Sequence, residues 1–242
     1  MNIRKALQLL SQPAHWKALL KGVAASVEHE HLSGICPVIN TVVDIGANKG
    51  QFSLEARKCF PQARIFAFEP MPAAVEIFNT VHSEDRKVTL HPVAIGAVSE
   101  VVLMHLSGRD DSSSLLPILE LQDKIFPGTR EVGTLQVTVE PLDKIINAAD
   151  LQSPALLKLD VQGYELNALK GCERLLSKFD YVYLELSFVE LYEGQALADE
   201  ILRYLQERGF ELGGIYNLGY DKAGQAIQGD FFLKRRRRIG TA

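Results

Sequence analysis

Cysteine is scarce and unpatterned in this 242-residue chain. Cys36, Cys59 and Cys172 are odd in number and fall at no metal-ligand or disulfide spacing, so a disulfide scaffold is excluded and a reducing, cytoplasmic setting is expected. No apolar run approaches the roughly 20 residues that span a bilayer. No apolar core followed by a cleavage site opens the chain, so secretion is not expected. A net charge of −4 supplies no electrostatic footprint for nucleic acid, and none is expected as a partner. Repeats, low-complexity segments and Pro/Gly/Ser-rich linkers are also missing. The one charge run, Lys234 to Arg238 ("KRRRR"), reads as a solvated tail, with weak contact to an anionic surface as the alternative. The pattern sets no oligomeric state.

What is present is ordinary globular composition, 47% hydrophobic and 23% charged, enough for one large domain with a full core. "IRKALQLL" and "HWKALLKGVAASVEHEHL" carry helix-spaced apolar residues on either side of Pro13 and predict an N-terminal helical extension over residues 1–36. From residue 37 to 234 buried strands and helices alternate. "VINTVVDIG", "ARIFAFEP", "KVTLHPVAIG", "ALLKLDVQGYE" and "YVYLELSF" are near-continuous apolar runs, the mark of strands covered on both faces. "QFSLEARKCF", "PAAVEIFNTVH", "ELNALKGCERLL" and "LADEILRYLQERG" are the helices between and after them. "EVVLMHLSG" and "LQVTVEPLDKII" add strands in a less regular middle region, separated by the polar loop "RDDSSSL". This alternation predicts a doubly wound, Rossmann-like α/β domain with a mostly parallel sheet. "FELGGIYNL" and "GDFFLKR", joined by a short polar loop, have no room for a parallel crossover, so the sheet is expected to end in an antiparallel hairpin. Residues 235–242 follow as a basic tail.

Ligands in such sheets bind at the carboxyl ends of the strands, which directs attention to four strand-end acids: Asp44, Glu69, Asp160 and Glu185. The stretch "VVDIGANKGQF" ends one strand and opens a helix. Its glycines, Gly46 and Gly50, are spaced Gly-x-x-x-Gly, and Asn48 fills the place where a dinucleotide fold has the glycine that approaches pyrophosphate. A phosphate is also disfavoured by Asp44. The loop suits a nucleoside with a positive group and no phosphate, and S-adenosylmethionine fits that description. Asp44 is then expected to receive the ammonium, directly or through water, Gly46 to make the tight turn and Gly50 to allow close packing at the helix start. Glu69, 25 residues after Asp44, sits near the offset at which a carboxylate takes ribose hydroxyls, and Pro70 and Met71 follow as packing surfaces.

With these residues in hand, "VVDIGANKGQFSLEA", "IFAFEPMP", "VAIGA", "SSSL", "LLKLDVQGYELNALKG" and "YVYLELS" together resemble the FkbM-type family of class I S-adenosylmethionine-dependent methyltransferases. The likeness covers roughly Ile39 to Lys234, and "LKLDVQGYE" is its most specific piece. The family usually has Glu where this chain has Gln162. The resemblance implies methyl transfer to a hydroxyl oxygen of a sugar, glycan or secondary metabolite.

Such a reaction is an in-line displacement that must align an alcohol and take its proton. Asp160 is the expected central residue, as orienter or base, with Glu165 and Glu185 as catalytic helpers. A divalent cation on these acids is possible, though no ligand pattern indicates one. His91 and the pair His29 and His31 are expected to be structural, the pair at the surface because residues two apart on a helix diverge. "DDSSSL" either reaches substrate or caps a turn, and Trp16 is expected to pack. Two other functions remain open on the residues alone: a nicotinamide-dependent dehydrogenase, against which Asn48 counts, and a nucleoside-binding module without catalysis, against which the retained acids count.

Overall fold

A computed structural model of the protein describes residues 12–236. "IRKALQLL" and the residues from Arg237 onward lie outside this range. Pro13 occupies the first turn of helix α1 (Pro13–Leu20), where its missing N–H goes unneeded. The expected single helix from residue 15 to 32 is not formed. Gly22 takes φ +80°, and beyond it Val23, Ala25 and Val27 turn inward in a period of two, against Ala18 and Leu54. That is an extended chain, not a helix. A single 3-10 turn at Val27–His29 and the short α2 (Leu32–Ile35) follow. Trp16 is 41% exposed, so the expected packing role is only partly realised.

The α/β alternation then proceeds as β1 (Thr41–Ile45), α3 (Gln51–Cys59), β2 (Arg64–Phe68), α4 (Pro72–Val81) and β3 (Val88–His91). Next come β4 (Ala94–Ile95), β5 (Glu100–Ser107), α5 (Glu120–Ile125) and β6 (Glu131–Glu140). The chain finishes with β7 (Ala155–Leu159), α6 (Glu165–Gly171), β8 (Tyr181–Ser187), α7 (Ala198–Glu207), β9 (Phe210–Tyr220) and β10 (Ala226–Arg235). Seven strands form one sheet in the order β3-β2-β1-β7-β8-β10-β9. The first five are parallel, and β10 runs antiparallel to both β8 and β9. The closing hairpin is therefore present, with a tighter turn than the polar loop suggested.

"KVTLHPVAIG" is two strands rather than one. Pro92 has no N–H to continue the ladder; β3 stays at the sheet edge while β4 leaves to pair with β6 in a separate three-stranded sheet, ordered β4-β6-β5. β1 and β7 lie side by side at the switch point and every residue in both is buried. Leu157, Leu159, Val43 and Ile45 anchor the main core cluster, where each fully buried aliphatic side chain contributes roughly 1.5–3 kcal/mol. Of the basic run, Lys234 pairs with Glu211 at 3.4 Å, and the Arg235 guanidinium donates to the carbonyls of Phe179 and Leu176 at 2.8 and 2.5 Å. These two residues belong to the sheet. Among the described residues no helix is long and apolar enough to cross a membrane.

Candidate active site

A cavity of about 480 Å³ opens at the carboxyl ends of β1, β2, β7 and β8. That is the size range of small-ligand sites. Its first wall is the β1–α3 turn. Gly46 has φ +78°, and a Cβ there would meet the Asp160 carbonyl oxygen at 1.9 Å, so only glycine lets the ends of β1 and β7 close together. Asn48 also lies in the left-handed region, at φ +46°, which asparagine tolerates better than most residues. Gly50 (φ +89°) precedes α3, and a Cβ there would strike the His82 ring at 2.4 Å.

Glu69 ties this turn to the next strand. Its Oε2 accepts from the Asn48 N–H at 2.9 Å and its Oε1 from the Met71 N–H at 2.8 Å. The side chain is 3% exposed, and burial pushes its pKa up to about 7 against the opposing pull of those two N–H groups. Each oxygen keeps a second lone pair. Pro70 and Met71 continue the wall. Asn48 Oδ1 and Gln51 Oε1, both on lining residues, have no hydrogen-bond partner.

Asp44 does not face this space. It is fully buried beneath the turn, accepts from Ser53 Oγ at 2.7 Å, and lies 3.1 Å from Lys158 Nζ, which also donates to the Gly46 carbonyl. Asp44 is thus not a lining residue, and its internal ion pair braces the turn from below. Lys158 carries no obvious signal as a site residue, yet a lysine inside an apolar strand must find a buried anion, and Asp44 on the neighbouring strand is that anion.

The opposite wall is acidic. Asp160 follows β7 directly; its Oδ1 accepts from Gln162 Nε2 at 2.6 Å, and its side chain is 39% exposed. Gln162, itself at φ +54°, extends the same amide toward Glu185 Oε2 at 3.3 Å, while its own Oε1 accepts from the Tyr192 hydroxyl at 2.8 Å. Glu185 Oε1 accepts from Gln228 Nε2 at 2.8 Å. Burial, then the charges of Asp160 and Asp230, push the Glu185 pKa well above the ordinary carboxylate range. Asp160 and Glu185 therefore share one end of the cavity, bridged by the Gln162 amide.

Glu165 does not join them. It folds back over its own turn, where one oxygen accepts from the N–H groups of Val161 and Gly163 at 3.0 and 3.2 Å, and burial raises its pKa to about 7. It is not among the lining residues and supports the turn that presents Asp160 and Gln162. His91 stacks on Phe68 at 5.0 Å, outside the cavity, as expected of a structural histidine. The serine loop contributes to the lining and is also braced: Ser114 Oγ donates to the Gln162 carbonyl at 2.6 Å, and Lys49 and Asp110 form an ion pair from one wall to the other.

His29 and His31 are not divergent surface residues. Because the chain makes a 3-10 turn there, both rings converge on Tyr183, with His29 Nδ1 at 2.9 Å and His31 Nε2 at 3.4 Å from its hydroxyl. His29, Asn217, Gln228 and Asp230 all line the acidic end, and none was singled out as a cavity residue from sequence. An acid between glycine and two phenylalanines in "GDFF" was the available signal. Among the described residues no cluster of three His, Cys, Asp or Glu side chains is placed to hold a metal ion.

Comparison with known proteins agrees with this geometry. The profile of the methyltransferase FkbM domain matches residues 44–212. The 2-O-methyltransferase NoeI of Sinorhizobium fredii is 30% identical over 200 residues, covering 80% of this chain and 78% of that protein. The hexuronic acid methyltransferase AglP of Haloferax volcanii is 27% identical over 180 residues, covering 70% of this chain and 68% of its own. Among solved structures, a precorrin-6y C5,15-methyltransferase from Geobacter metallireducens superposes with a TM-score of 0.50 at 13% identity, over 88% of this chain and 89% of that one, a likeness of fold alone. Sheet order, strand-end acids and matched domain converge: the chain belongs to the FkbM family of methyltransferases.

Proposed function

We propose that the protein transfers a methyl group from S-adenosylmethionine to a hydroxyl oxygen of a sugar, a glycan or a related secondary metabolite. The observation that carries this reading is Glu69, a buried carboxylate at the end of β2 whose oxygens each retain a lone pair after binding the backbone of Asn48 and Met71. A ribose diol offers two donors that match two such acceptors. The orphaned Asn48 Oδ1 would accept from a further donor on the ligand, such as its ammonium. Pro70 and Met71 offer apolar contact for the nucleoside. With Glu69 at one strand end and Asn48 in the place of the pyrophosphate glycine, the wall disfavours a dinucleotide, and membership of a methyltransferase family sets the dehydrogenase reading aside. Bound there, the cofactor supplies an electrophilic methyl carbon.

The chain's own residues hold the acceptor. Asp160, partly exposed, takes a hydrogen bond from an acceptor hydroxyl beside the reacting one and so orients the reacting oxygen. Glu185 lines the same end and is placed to hydrogen-bond a neighbouring polar group of the acceptor. Gln162 fixes both carboxyls with one amide. A polyhydroxylated acceptor suits this cluster of polar groups better than an apolar alcohol, and the likeness to AglP, a hexuronic acid methyltransferase, favours the same class.

Calorimetry and a transfer assay test the reading. S-adenosylhomocysteine is expected to bind with heat and NAD to give none. Tritium from methyl-labelled S-adenosylmethionine is expected in a sugar acceptor such as a hexuronic acid glycoside. Heat with NAD and none with S-adenosylhomocysteine overturns the reading.

A further inference from the structure

We infer that His29 is the general base that takes the proton of the acceptor hydroxyl, with Tyr183 and Asp230 as positioning residues that set which ring nitrogen is free. The inference rests on the methyltransferase reading above.

His29 lines the acidic end of the cavity from the N-terminal 3-10 turn, with 15% of its side chain exposed. Its Nδ1 lies 2.9 Å from the Tyr183 hydroxyl and 3.5 Å from Asp230 Oδ2. Tyr183 stands in a buried strand. Its hydroxyl donates to the Asp230 carboxylate, and burial first, then the charge of that carboxylate, pushes its pKa far up, so the tyrosine stays neutral. With its one proton directed at Asp230, Tyr183 has lone pairs left for His29. The inference assigns the donors along this chain as Nδ1–H of His29 to Tyr183 Oη, and Tyr183 O–H to Asp230. Asp230 is in turn oriented by Asn217 Nδ2 at 2.7 Å.

This leaves Nε2 of His29 as the nitrogen available to take a proton, since the hydrogen bond and ion pair that His29 makes among the described residues both use Nδ1. A nucleophile-activating base with its far nitrogen anchored and its near nitrogen free is the general arrangement by which a histidine accepts a proton in a fixed direction. Placement agrees. The His29 ring meets Phe52 edge-on at 5.5 Å, and Lys158 Nζ lies 5.3 Å from the same phenyl ring and 3.8 Å from Asp160. Asp230 is the cross-strand partner of Glu185. His29 therefore borders the same end of the cavity as both carboxyls that orient the acceptor. Besides Tyr183 and Asp230, the titratable neighbour of its ring is His31, whose Nε2 is 3.4 Å from the shared hydroxyl.

In the step itself the acceptor oxygen forms its bond to the methyl carbon as the carbon–sulfur bond breaks, and that bonding pair stays on sulfur. The hydroxyl O–H bond breaks, its electrons stay on oxygen, and the proton goes to His29 Nε2. The partly exposed imidazolium then returns the proton to water.

Nitrogen-15 NMR of the full chain reads the tautomer with no acceptor present, and His29→Gln assigns the ring among the six histidines. The expected result is a His29 tautomer that carries its proton on Nδ1, with Asp230→Asn or Tyr183→Phe populating the other tautomer. A wild-type ring protonated on Nε2 overturns the inference. In the transfer assay, His29→Gln and His29→Asn are both expected to lose on the order of 100-fold or more in kcat, with S-adenosylhomocysteine affinity within twofold of wild type. Retention of rate within threefold by either folded variant also overturns it. Absence of S-adenosylhomocysteine heat in the wild-type chain removes the methyltransferase reading and the base assignment with it; normal binding with the wrong tautomer removes the base assignment alone.

Discussion

Lys158 Nζ lies 3.1 Å from a carboxylate oxygen of Asp44, the two side chains being 6% and 0% exposed. The charges sit on neighbouring strands beneath the turn that forms one cavity wall. Desolvation pulls the Lys158 pKa down, but Asp44 and Asp160 outweigh it and the net shift is upward, so the ammonium persists. Removing one partner strands a buried charge, at roughly 3–5 kcal/mol. Asp44→Asn and Lys158→Met are each expected to lose stability of that order in urea melts, with the double variant recovering part of the loss. Additive losses would show that the pair is not coupled.

Gly46→Ala tests the closeness of β1 and β7. The new methyl would stand 1.9 Å from the Asp160 carbonyl, at φ +78°, with backbone rather than a flexible side chain in the way. Overpacking and left-handed strain together give an expected loss of about 3 kcal/mol or more. Gly224→Ala has no neighbour within 4 Å and a similar φ of +83°, so it isolates the strain from the clash. The expected order of melting temperatures is wild type, Gly224→Ala, then Gly46→Ala by a wide margin.

Glu165→Gln separates titration from bracing. The folded pKa of Glu165 is about 7 against an ordinary 4.5. The folded state therefore binds more protons than the unfolded state between those values, and stability falls as pH rises through that window, then levels off. Below about 4.5 both states are protonated and the full stability is present. The shift corresponds to about 3 kcal/mol at most. Glu69, also near 7, and Glu185, likewise raised, add slopes of the same sign. A glutamine keeps its oxygen on the N–H groups of Val161 and Gly163 and cannot ionise. The variant is expected to be more stable than wild type at pH 8 and equal to it near pH 4.5, with a shallower decline between. A steeper decline contradicts the assignment of Glu165 as a buried, proton-binding brace.

Strand and helix alternation was legible because buried parallel strands are continuous apolar runs, and β1, β2, β7 and β8 all are. The strand-end acids were legible for the same reason: a charge closing an apolar run has few structural uses. What sequence concealed was direction. Asp44 and Glu69 both end strands, yet one points under the turn and the other into the cavity, a difference set by Lys158 on a strand more than a hundred residues away. The helical period assigned to residues 23–29 failed because alanines and valines fit a period of 3.6 or of 2 equally well, and Gly22 decided between them. His29 and Asp230 were invisible as partners because only the final antiparallel strand brings them together.

Glu69 and Asp160 make opposite predictions, and this gives the sharpest division of the cavity into two halves. A glutamine at position 69 turns one of its two acceptor oxygens into an NH2 that faces a backbone N–H of Asn48 or Met71, and leaves only one group able to receive a diol. Losing one charged acceptor at a buried site costs roughly 1–3 kcal/mol, so S-adenosylhomocysteine affinity is expected to fall about 10- to 100-fold by calorimetry. Asp160→Asn keeps the shape of the acidic wall but removes the charge that orients the acceptor, so cofactor affinity is expected to hold within threefold while methyl transfer falls about 100-fold or more. Loss of cofactor binding in the Asp160 variant, or unaltered binding in the Glu69 variant, would mean that the two ends of the cavity have been assigned the wrong way round.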